Sequence, residues 1–159
     1  MRITILTVGK IKEPYLREAV QEYSKRLGRY CRLEILETAD EKTPDQLETA
    51  AAQQVRQREG ERLLKRLPAD SYVITLEILG RQLSSEKFAQ KIDNLAVQGI
   101  SHIVFVIGGS LGLGRNIREK SDFALSFSEM TYPHQLMRVI LLEQIYRSYR
   151  IINGEPYHK

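Results

Sequence analysis

The sequence predicts an α/β domain whose mostly parallel sheet is flanked by helices. Three observations carry that expectation. Short apolar, β-branched runs alternate with segments of helical period. Most of these runs end close to a glycine. The run at 103–107 is apolar without alternation, the pattern of a strand covered on both faces.

Taken in order, residues 3–8 form the first run, bounded by Gly9. From Pro14 to about Tyr30, the spacing of Leu16, Ala19, Val20, Tyr23 and Leu27 marks one face of a helix. Pro14 suits the first turn, where its missing N–H costs nothing. Residues 33–36 read as a second strand and 40–44 as a loop. A long polar helix is expected from about Asp45 to Leu67, halted by Pro68. The third strand is 72–78, closed by Gly80. The next helix opens at Ser84, where Lys87 spoils a capping box but Ser84 or Ser85 can still cap, and it runs to Gly99. The strand 103–107, the glycine-rich stretch 108–114, a short helix, a last strand 123–127 and a helix 133–152 complete the chain.

The chain of 159 residues is 42% hydrophobic and 28% charged, enough apolar content for the core of one domain and too much for a disordered protein. No repeat or Pro/Gly linker divides it, so one domain over 1–159 is expected. Cys31 has no second cysteine to pair with, and histidines at 102, 134 and 158 form no zinc-like cluster. No apolar run approaches the roughly 20 residues of a membrane helix. The run at 3–8 is cut off by Lys10, Lys12 and Glu13, unlike a secretory signal. A soluble cytoplasmic protein with no membrane partner is the expectation. The net charge is +4, and 10–32 is locally basic. That segment is either a solvated helix face or a phosphate-binding surface.

In open parallel sheets, ligands gather at the carboxyl ends of strands, where loops and helix N-termini present free amides. This singles out 76–80, 108–114 and 127–134. The glycine stretch fails G-x-G-x-x-G in every frame. It satisfies G-x-x-x-x-G from Gly109, but Arg115 and Asn116 follow where a P-loop needs Lys and Ser or Thr, so the magnesium ligand is lost despite a carboxylate at Glu77. Close backbone approach to a ligand is the expected reason for its four glycines. The loop 126–134 offers amides and hydroxyls without a basic residue, which suits a nucleoside, with adenine held between side chains such as Leu76 and Met130. His134 stands at the start of the last helix, where the helix dipole disfavours a charged imidazolium.

The last helix is apolar around most of its circumference, so a second copy of the chain is expected to cover part of it. Glu143 precedes Arg147 by four residues, a favourable structural pair. The tail, Glu155-Pro156-Tyr157-His158-Lys159, is dense in side chains that stack, move protons or hold phosphate.

Several segments together resemble the ribosomal RNA large-subunit methyltransferase H family of the SPOUT methyltransferases. They are ITILTVGK at 3–10, FVIGGS at 105–110, LSFSEMT at 125–131, Pro133-His134-Gln135 with Arg138, Glu143-Gln144 with Tyr146-Arg147, and PYHK at 156–159. The resemblance spans the whole chain. It implies a minimal SPOUT domain with a C-terminal deep trefoil knot and an obligate homodimer. It further implies S-adenosylmethionine as methyl donor, with no metal, contacted by Leu76, Gly108, Phe127, Ser128, Glu129, Met130, Thr131 and Tyr132. The implied reaction is methylation at N3 of a pseudouridine in 23S ribosomal RNA on the assembled ribosome.

The tail is then expected to serve catalysis: His158 as base, or Lys159 and Arg147 as electrostatic stabilisers, with Tyr157 orienting or stacking on the acceptor. The basic first helix (Arg17, Lys25, Arg26, Arg29) is the expected ribosome-facing surface. Two rival readings are a SPOUT enzyme acting on transfer RNA and a non-catalytic ribosome-binding factor.

Overall fold

A computed structural model describes residues 1–43 and 49–157. In chain order the elements are β1 (Arg2–Val8), α1 (Pro14–Leu27), β2 (Arg32–Thr38), α2 (Thr49–Arg66), β3 (Tyr72–Gln82), α3 (Ser85–Val97), β4 (His102–Ile107), α4 (Arg115–Arg118), β5 (Phe123–Ser126) and α5 (His134–Ile152). The five strands form one sheet of order β2-β1-β4-β3-β5, with every neighbouring pair parallel. The expected α/β class and element order are present.

Alternation within each strand sorts the core into two layers. Ile3, Ile5, Ile74, Ile103, Phe105 and Ile107 face one side, where Leu27 of α1, Phe88 and Ile92 of α3, and Leu141, Leu142 and Ile145 of α5 cover them. Leu6, Val8, Val73, Val104 and Val106 face the other side, against Leu63 of α2 and Ile117 of α4. Being covered on both faces, β4 is buried at all six positions, as its unbroken apolar run predicts. His102, at the start of β4, is buried with its Nε2 2.8 Å from Thr4 Oγ1 on β1.

Two boundaries differ from the expectation, and another cannot be compared. α1 stops at Leu27, short of Tyr30, because the Leu27 carbonyl accepts turn bonds from the amides of Tyr30 and Cys31. The Tyr30 ring then lies parallel to Tyr149 at 5.5 Å. The expected start of the long polar helix near Asp45 falls outside the described residues; α2 is seen from Thr49.

The second difference bears on the site. β3 does not close at Gly80 but continues to Gln82, since Leu76 and Arg81 both pair with Leu125 and the residues between them bulge outward. Gly80 serves that bulge: a Cβ there would lie 2.8 Å from the Ala124 backbone. The displaced Ile78 and Leu79 face solvent, Leu79 with 96% of its surface exposed.

Candidate functional site

A cavity of about 610 Å³ opens at the carboxyl ends of β4 and β5 and at the bulge of β3 between them, three adjacent strands. All three segments selected by the strand-tip rule contribute to its wall. Leu76, Ile107, Leu125, Phe127 and Met137 give it an apolar interior, and Ile78, Met130 and Tyr132 form an exposed apolar rim. Loop backbone at Gly108, Gly109 and Gly112 and the side chains of Ser110, Ser128 and Thr131 add polar groups. Its size and mixed lining are those of a small-molecule site.

The glycine-rich loop has a rationale within its own chain as well. A Cβ on Gly108 would sit 2.7 Å from the Gly112 backbone, and Gly112 adopts φ +81°. The Gly109 carbonyl accepts the Gly112 amide at 3.0 Å. Thus the loop folds tightly upon itself, which requires glycine at Gly108 and Gly112 for the loop's own geometry. Glu77 is on the wall, where its Oε1 accepts from the Thr75 hydroxyl at 2.8 Å.

Of the residues that the resemblance marks for the methyl donor, Leu76, Gly108, Phe127, Ser128, Met130, Thr131 and Tyr132 line this cavity. Glu129 is exposed and is not on the wall. Pattern reading left the role of His134 open; the structure places it in the lining as the first residue of α5. Burial and, secondarily, the Arg138 charge push its pKa below the ordinary histidine value, against an opposing pull from Asp40. It is therefore neutral near pH 7.

Arg147 and Tyr157 lie elsewhere. Ten residues of α5 separate Arg147 from Met137, about 15 Å at 1.5 Å per residue. Glu143 Oε1 accepts from Arg147 Nη2 at 2.7 Å and from the Tyr157 hydroxyl at 3.2 Å. The Tyr157 ring meets Tyr146 edge-on at 5.0 Å and lies 4.7 Å from the Arg147 guanidinium carbon. Burial, reinforced by the Glu143 charge, pushes the Tyr157 phenol up to about 12, so it remains a donor. His158 and Lys159 lie outside the described residues.

Pattern reading missed two buried charged groups. Glu59, inside α2, is buried, with its carboxylate 2.9 Å from where a Gly109 Cβ would stand. Nothing in the polar sequence of α2 distinguishes it. Arg138 had a signal, an arginine within the apolar run of α5. Its guanidinium is buried against the carbonyls of Val8 and Gly9 at the end of β1.

Among the described residues, no helix is long and apolar enough to cross a membrane. A solved structure of a methylase family protein from Haemophilus influenzae Rd KW20 superposes with a TM-score of 0.55, covering 99% of this chain and 70% of that one at 14% identity, a likeness of fold alone. The model of the SPOUT methyltransferase family matches residues 1–158. A protein from Bifidobacterium adolescentis named ribosomal RNA large subunit methyltransferase H is 59% identical over the full length of both chains. One of the same name from Acetivibrio thermocellus is 55% identical, also over the full length of both. With the fold, the family model and full-length relatives in agreement, the chain belongs to the ribosomal RNA large subunit methyltransferase H family of SPOUT methyltransferases.

Proposed function

We propose that this protein is an S-adenosylmethionine-dependent methyltransferase acting on N3 of a pseudouridine in 23S ribosomal RNA of the assembled ribosome. The observation that supports it best is the cavity at the ends of β4 and β5 and the bulge of β3, which gathers seven of the eight positions that the family resemblance marks for the donor. The residues present suit that ligand: an apolar interior for an adenosyl group, and loop backbone at Gly108, Gly109 and Gly112 on the same wall. Relatives named for large-subunit ribosomal RNA favour that substrate over transfer RNA and over a non-catalytic role. The trefoil knot that the resemblance implies belongs to the same reading.

When bound, the donor supplies an electrophilic methyl carbon on a sulfonium, which departs neutral and so needs no metal to stabilise the leaving group. The chain contributes position. The loops at 108–112 and 127–132 hold the donor, and fixed near-attack geometry can remove roughly 7–11 kcal/mol of barrier. As the N–C bond forms and the S–C bond breaks, the acceptor nitrogen loses its proton. His158 is the proposed base, or Lys159 and Arg147 stabilise the developing anion, and Tyr157 orients the acceptor.

Arg147 is about 15 Å along α5 from the cavity of its own chain, so this arrangement requires a homodimer in which each tail serves the partner's cavity. α5 suits such a partner: Leu136, Val139, Ile140, Tyr146, Ile151 and Ile152 remain only half-buried in the single chain.

Calorimetry with S-adenosylmethionine, followed by methyl incorporation into ribosomes and into free transfer RNA, tests the reading. Donor binding and labelling of ribosomes alone are expected; absence of donor binding overturns it. A mixture of a cavity variant (Leu76→Arg) and a tail variant (Arg147→Ala), each inactive alone, should recover roughly a quarter of wild-type sites, since half the dimers are mixed and each has one competent site.

A further inference from the structure

Opposite in character to the donor cavity is a groove of about 490 Å³ between α3 and the adjoining ends of β3 and β5. None of its walls belongs to the cavity. Its ten lining residues include three cations, Arg81, Lys87 and Lys91, and no carboxylate. Among the described residues, none of the three is in an ion pair.

Lys91 is held in place. Its Nζ donates to the Tyr72 hydroxyl at 3.3 Å and stands 3.9 Å from the Phe123 ring centroid, so the charge is fixed over an aromatic floor. Lys87 is in the first turn of α3, where the helix dipole already contributes positive potential and a cation is locally unfavourable. The groove thus concentrates positive charge without internal compensation. On α1, by contrast, Arg26 is paired with Glu22.

From Lys87 through Lys91 and Asn94 to Gln98, a polar stripe follows the helix for about 16 Å, longer than a single phosphate spans. Lysines and amides in such a row match the repeating phosphates and sugar hydroxyls of a nucleic-acid strand.

We propose that this groove docks the phosphate backbone of ribosomal RNA, away from the methylated base. The proposal rests on the RNA-methyltransferase reading above.

The test compares the full-length protein with Arg81→Glu/Lys87→Glu/Lys91→Glu, measuring affinity for ribosomes and for protein-free 23S RNA at 50 and 200 mM salt. Expected is at least a tenfold loss at low salt on both targets, with the slope of log affinity against log salt shallower by about 2–3, near 0.7–0.9 per lost phosphate contact. Calorimetric binding of S-adenosylmethionine is the check on folding, and Lys87→Glu alone, at an exposed position, is the fallback with a slope change near 1. Unchanged affinity and slope overturn the proposal. A loss on ribosomes with none on free RNA also overturns it, identifying an acidic ribosomal protein as the partner. Failure of the wild-type protein to methylate ribosomes overturns the functional reading instead, whatever the groove binds.

Discussion

Arg138 is 1% exposed, yet it carries a charge into the core. Nη2 donates to the Gly9 carbonyl at 2.6 Å and the Val8 carbonyl at 3.2 Å, while Nη1 reaches Glu37 of β2 at 3.3 Å. Burial lowers its pKa, and Glu37 pulls the other way. The guanidinium thus ties α5 to the ends of β1 and β2, beside His134. Removing it leaves two carbonyls short of a donor, so Arg138→Met should cost about 2–4 kcal/mol in urea unfolding. Glu59 has the opposite balance. Among the described residues its donor is the Glu41 amide at 3.4 Å, and burial pushes its pKa up, with Asp40 adding to the effect. Its ionised form therefore costs stability at neutral pH. Glu59→Gln should raise stability at pH 7 by about 1 kcal/mol, and the gain should shrink as acid protonates the wild-type carboxyl. His102, lowered by burial and then by Arg2, gives a third test. Because the native imidazole resists a proton that the unfolded chain accepts near pH 6.5, stability present above that pH falls as pH drops through it. His102→Gln should flatten that acid slope in thermal melts taken from pH 7.5 to 5.

Among the elements, α5 joins the cavity at one end to the tail at the other. Beyond Asn153 the tail is tied back: the Glu155 amide donates to the Arg150 carbonyl at 2.8 Å, and the Glu155 carboxylate accepts from Arg150 and from the Tyr30 hydroxyl. Arg150 Nη2 also donates to the Pro156 carbonyl. These bonds set where Tyr157 begins. Glu155→Ala should leave donor affinity unchanged while lowering single-turnover methylation by about 10–100-fold, the scale of a misplaced group; equal rates would show that the tail is aimed by other contacts. The bulge in β3 is the other element with consequences for the site, since it lifts Ile78 to the cavity rim.

For the whole molecule, the half-buried apolar face of α5 makes assembly the next question. Sedimentation at micromolar concentration should find a dimer, and Ile140→Glu should shift it to monomer and abolish methylation together, because a cavity without a partner's tail lacks half of the proposed site. The element order, the three strand-tip loops and the apolar excess of α5 are all legible in the sequence, because period and glycine punctuation are properties of neighbouring residues. Gly80 was misread for the same reason: a glycine that ends a strand and one that lets two backbones meet look alike in one dimension. The buried Glu59 was not legible at all, since its burial arises from the loop at Gly109, fifty residues away.

The sequence by itself determined the order of strands, helices and loops, and, through the segments from ITILTVGK to PYHK, the family. Only the tertiary structure decided that β4, β3 and β5 are neighbours that together enclose one cavity, that Arg147 stands about 15 Å from it along α5, and that an uncompensated basic groove lies against α3. Local periodicity is written in adjacent side chains. Strand order, burial of charge and the closeness of loops depend on contacts such as Thr4 with His102 and Gly9 with Arg138, between residues about a hundred positions apart, which exist only once the chain has packed.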